Sequence, residues 1–162
     1  MEPLWTVQKA AGFELRQYAR DVLETAIKSL KDDGYLQSGV FVVTKDEIHC
    51  LEVFFQCYEE KVAMYSQVIK YARDTNAEAI VTLNDAYWGP EDAAVDYYWG
   101  KLQEGGKELI QVAITGPTLI NWVIEAKYER KGNRIDVQLP EEISGGSIGF
   151  LGDWPANIKS VN

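Results

Sequence analysis

The sequence is poor in the residues that build reactive centres. It has one histidine, His49, and two cysteines, Cys50 and Cys57. A single imidazole excludes a multi-histidine metal site, and the spacing of the two cysteines matches no common zinc motif. Free, largely buried thiols in a reducing compartment are expected. No G-x-S-x-G occurs, which argues against the common hydrolase elbow. No apolar run reaches the roughly 18 residues that a membrane-spanning helix needs. The first residues, MEPLWTVQKAAG, do not read as a charged-then-apolar leader, and cytoplasm is the expected compartment. Positive charge is also short, with 16 Lys and Arg against 25 Asp and Glu and a formal net charge of −9. Such a chain repels phosphate backbones. Its densest basic group, Arg130-Lys131 with Arg134, reads as a hairpin tip, so neither nucleic acid nor a membrane is an expected partner.

What is present is ordinary globular material, 46% apolar and 25% charged over 162 residues. That length suits one domain with one core. We read residues 1–162 as a single α+β domain with a Gly-rich tail from about residue 141. Over 13–30, apolar residues recur at steps of three and four (Leu15, Tyr18, Ala19, Val22, Leu23, Ala26, Ile27, Leu30), which predicts a helix. Gly34 is placed to close it in a left-handed conformation. Residues 39–44 and 48–55 read as a hairpin. A second helix over 58–74 shows a stripe of Tyr58, Val62, Tyr65, Ile69 and Ala72, with Val68 at its edge. Residues 79–88, AIVTLNDAYW, read as the central strand. Residues 91–103 fit a short helix or an ordered loop. Strict alternation around Ile110, Trp122 and Ile135 then predicts further strands with one buried face. The expected architecture is a mostly antiparallel sheet of about six strands with two main helices packed on one face. The runner-up puts the helices on opposite faces, with the central strand parallel to a neighbour.

The densest candidate constellation follows the central strand: Asn84, Asp85, Tyr87, Trp88, Glu91, Asp92, Asp96 and Trp99, with Tyr97 and Tyr98. Paired carboxylates can act as acid and base where burial splits their pKa values. They can also hold a hard cation through oxygen, though the calcium-loop spacing is absent. The aromatic residues can stack on a flat ligand or anchor an interface, and solvated acids beside aromatics at the core edge would look the same. His49 could serve as a general base, but a structural histidine is the simpler reading. The glycines Gly145, Gly146, Gly149 and Gly152 lack the following helix and lysine of a phosphate loop.

Two resemblances attach to these residues. Cys57-Tyr58-Glu59 opening a helix after a helix and a hairpin is similar to the zinc nucleoside deaminases, where such a helix start carries a metal ligand and a glutamate proton shuttle. The place of that family's Pro-Cys-x-x-Cys is filled here by Trp88-Gly89-Pro90-Glu91-Asp92, without cysteine, so no metal site is implied and no cofactor is expected. The strand ending Asp85-Ala86-Tyr87-Trp88 resembles small bacterial proteins whose equivalent strand ends in an acid, an alanine and a tryptophan. That resemblance implies a bacterial source and gives no residue a role. With no nucleophile, base and orienting group brought together, the expected function is a non-enzymatic protein-interaction or accessory module. It would associate, as a homo-oligomer or with a protein partner, through 87–99 or the tail at 150–154. The alternative is a small-molecule binder or enzyme using residues 84–99.

Overall fold

The computed structural model describes residues 1–88, 107–117 and 121–144. Its elements run β1 (Pro3–Gln8), α1 (Leu15–Asp33), β2 (Gly39–Val43), β3 (Glu47–Leu51), α2 (Tyr58–Asp74), β4 (Ala79–Trp88), β5 (Lys107–Thr115), β6 (Trp122–Lys131), β7 (Arg134–Val137) and β8 (Glu141–Ser144). The strands form one sheet in the order β1-β3-β2-β4-β5-β6-β7, with β8 also on β6. Every pairing is antiparallel. The α+β class and the antiparallel sheet therefore stand as read. The strands number eight rather than about six. The two additions are β1, in a stretch without clear periodicity, and β8, at the start of the segment read as a tail.

Placement of the helices differs from the first expectation. On β2, Val40 and Val42 pack with α2 while Val43 and Phe41 pack with α1. On β4, Ile80 joins the α2 cluster and Ala79, Val81 and Leu83 join the α1 cluster. Alternation along these strands thus sends the two helices to opposite faces. The runner-up had that division, but its parallel strand is not found among the described residues. The physical reason is visible in β2 and β4 themselves: both are apolar on both sides, and a doubly apolar strand needs cover on both faces.

α1 forms where its pattern said it would. Glu14 caps it, its carboxylate accepting from the amides of Arg16 at 3.2 Å and Gln17 at 2.6 Å. Gly34 ends it at φ 81°, its N–H donating to the Leu30 carbonyl, and only glycine adopts that conformation freely. Ala19, Leu23, Ala26 and Leu30 are the buried stripe, laid across β4, β5 and β6. α2 buries Met64, Tyr65, Val68 and Ala72 against Val40, Val42, Leu51 and Ile80. Its predicted stripe is rotated. Tyr58 and Val62 are exposed, and Val68, read as an edge residue, is fully buried.

The basic hairpin tip is found between β6 and β7, closed by Gly132 at φ 62° and Asn133. Its charges are locally matched: Arg130 pairs with Glu108, Lys131 with Asp136 and Glu129, and Arg134 with Asp136.

Candidate functional site

β4 separates the two sequence-predicted residues whose side chains are described. Asn84 faces α2, where Tyr65 donates its hydroxyl to Oδ1 at 3.3 Å. Asp85 faces α1, where Tyr128 donates to its Oδ1 at 2.8 Å. A pleated strand turns successive side chains to opposite faces, so these two cannot serve one ligand. Tyr87 and Trp88 end β4, opposite Glu108 and Lys107 of β5. Glu91, Asp92, Asp96 and Trp99 lie outside the described residues, as do Gly145, Gly146, Gly149, Gly152 and the tail at 150–154.

The Asp85 side is a hydrogen-bonded network built over three strands. Tyr128 is 1% exposed and reaches from β6 across β5 to β4. Burial, then the negative charge of Asp85, pushes its phenol far above the ordinary range, so it stays a donor. Arg130 lies over the Tyr128 ring at 5.7 Å. Its Nε donates to Glu108 at 3.0 Å and its Nη1 to the Gly34 carbonyl at 2.6 Å. Partial burial acts to lower the guanidinium pKa, but the Glu108 carboxylate and Tyr128 together more than offset it and the net shift is upward. The protonated phenol and the fixed guanidinium tie the end of α1 to the sheet.

His49 sits on the α2 face with Leu51, as strand parity implied. Its Nδ1 lies 2.6 Å from the Tyr71 hydroxyl and its Nε2 3.4 Å from Glu47 Oε1. With Nε2–H donating to Glu47, Nδ1 accepts from Tyr71, an order formally like that of an activated hydroxyl. Burial and the nearby Glu47 charge raise the Tyr71 pKa, however, the opposite of activation. Glu47 was legible two residues from His49 on the same face; nothing in the sequence placed Tyr71 there.

A concave site opens on the α1 face. α1 covers β4 to β6 and leaves the β1–β3–β2 side of that face to aromatic residues. Tyr18 meets Phe41 edge-on at 6.0 Å, Trp5 meets Phe41 at 6.0 Å, and Phe13 meets Tyr18 at 5.6 Å. Beside this row, α1, β2 and β4 enclose a cleft of about 300 Å³. Phe41 and Leu83 form its floor, with Val22, Ala26 and Leu36 as apolar walls. Asp21, Thr25 and Ser29, at every fourth position of α1, join Gln37 as its polar part. Burial pushes the Tyr18 phenol up to about 12, so it too keeps its proton.

Comparison with protein-family models, curated proteins and solved structures gives no match. What the site can do therefore follows from its own chemistry. Sequence reading missed the cleft because Thr25 and Ser29 look like ordinary solvent-side helix residues. Only the line along which α1 crosses the sheet turns them towards Phe41. On the opposite face, a wider depression of about 610 Å³ carries Glu2, Glu52 and Glu60, whose like charges repel. Cys57 stands at the start of α2 beside exposed Glu59. Among the described residues no group of three or more His, Cys, Asp or Glu could hold a metal ion.

Proposed function

We propose that the protein is a non-enzymatic binding module that seats a small molecule by an apolar ring in the cleft between α1, β2 and β4. The observation that carries this is the cleft's composition: an apolar floor on two strands and polar groups spaced along one rigid helix. That is how small-molecule sites are built, at the lower end of their usual volume range. The non-enzymatic part is supported by the state of the acid–base groups near by: Tyr18 and Tyr128 hold their protons, and both His49 nitrogens are engaged. We place the protein in the cytoplasm of a bacterium. The free thiols of Cys50 and Cys57 favour that compartment, as does the lack, among the described residues, of any helix long and apolar enough to cross a membrane. The bacterial source rests on the Asp85–Trp88 resemblance alone.

The test is a fragment titration followed by amide NMR shifts in wild type and in Thr25→Trp, which fills the cleft from an exposed position of α1. Fragments with one apolar ring should shift the amides of Val22, Leu36, Phe41 and Leu83, and the variant should remove those shifts while staying folded. No shift at these amides for any ring-bearing fragment would end the proposal.

A second reading, self-association, is favoured by β1. Leu4, Trp5 and Val7 are exposed on a strand that has β3 as its sole described neighbour. Light scattering over a concentration series tests it. A mass that stays at that of one chain would dispose of it.

A further inference from the structure

We infer that the cleft selects a ligand combining one apolar ring with a cationic nitrogen. The inference rests on the reading of the cleft as a ligand seat and adds the ligand's charge. Asp21, Thr25 and Ser29 lie one above another along α1, as residues four apart do on a helix, so the cleft has a polar flank beside an apolar floor. At the end of that flank stands a carboxylate. Gln17 Nε2 donates to Asp21 Oδ1 at 3.0 Å and holds it in place. No lysine, arginine or histidine is among the described lining residues. The local charge is therefore negative, in a chain of net charge −9.

An anionic ligand entering here would be repelled and would meet no cationic partner among the described lining residues. A neutral ring would be held by the floor alone. A ring carrying an ammonium group gains Asp21 in addition, with Thr25, Ser29 and Gln37 offering oxygen acceptors to its N–H groups. The ring is held by burial against Phe41 and Leu83, where Tyr18 already stands edge-on to Phe41. The volume of about 300 Å³ limits the ligand to a ring with a short chain rather than a fused polycycle or a nucleotide.

Three probes of nearly equal size separate the contributions: 2-phenylethylamine, 2-phenylethanol and 3-phenylpropionate. Each is titrated into the full chain at neutral pH and low salt, with affinities read from the amide shifts of Val22, Leu36 and Phe41. An ion pair at an exposed rim is a modest interaction, so the amine should bind about three- to fivefold tighter than the alcohol. The propionate should bind most weakly. In Asp21→Asn the amine's advantage should fall to within about twofold, and in half-molar salt it should shrink in wild type as well. Equal binding of amine and alcohol, or an advantage that survives Asp21→Asn, overturns the charge selection while leaving the seat intact. Failure of all three probes to move these amides overturns the seat itself.

Discussion

At the scale of single residues, the informative groups are two tyrosines that hold their protons. Burial raises Tyr18 to about 12 and drives Tyr128 higher still, with Asp85 adding to the shift in Tyr128. A phenol whose folded-state pKa exceeds its unfolded value contributes stability that is fully present below the unfolded pKa of about 10. That stability is lost as pH rises from there through the folded value. Stability, read as the urea midpoint, should therefore fall between pH 10 and about 12, and Tyr18→Phe should flatten the fall over that window. A Tyr18→Phe profile that parallels wild type would show that the fall has another cause. Tyr128 illustrates what was legible at this scale. Alternation along β6 put it on the buried side, whereas Asn84 and Asp85 were grouped as one site although the pleat of β4 turns them to opposite faces. That Tyr128 meets Asp85 depends on the register of three strands, which no local pattern carries.

At the scale of elements, legibility followed how much of an element's surface is buried in a regular way. α1 lies along the sheet with a stripe and a glycine stop, both readable; its capping Glu14 was read as a residue of the helix's polar side. α2 has apolar residues over more than one stripe, and the surface it meets decides which is used. Val40, Val42, Leu51 and Ile80 select Met64, Tyr65, Val68 and Ala72, leaving Tyr58 and Val62 outside. β1 was missed because an edge strand with both sides partly wet has no alternation to read. That same exposure carries a prediction. An antiparallel pairing of two β1 strands about Thr6 sets Trp5 of each copy opposite Val7 of the other, on the face where Trp5 meets Phe41. Val7→Lys would put an ammonium group opposite each Trp5 and break the apolar pairing without touching the core. The wild type should scatter as a dimer at high concentration and the variant as a monomer. A dimer that survives Val7→Lys would have to use another surface.

At the scale of the whole molecule, the sheet is a partition with a core on each side. The α1 cluster and the α2 cluster share β2 and β4, which present Val43 and Val81 to one and Val42 and Ile80 to the other. Loss of either cluster strips cover from strands the other needs, so the two sides should unfold together. Leu23→Ala in the first cluster and Leu51→Ala in the second should each cost about 2–5 kcal/mol. In both variants, unfolding followed by far-ultraviolet dichroism and by tryptophan fluorescence should coincide. Separated transitions would mean the clusters melt independently. The sequence showed that β2 and β4 are apolar on both sides, and this already favoured two-sided cover. Assigning both helices to one face overlooked it.

The two margins of the sheet differ in a way that limits what assembly is open to the protein. β6 gives its outer margin to two short strands, β7 along Tyr128–Lys131 and β8 along Trp122–Glu125. The margin is thereby divided into pieces of four residues each, a length that discourages addition of a further chain. β8 is also fastened to α1 through Arg20 and Glu142 at 2.7 Å. The opposite margin, β1, has no strand beyond it among the described residues. With one margin divided and the other free among the described residues, strand addition would have a valence of one. If two copies pair at β1, as the second reading proposes, the described strands leave only four-residue margins outside, and growth should stop at the pair.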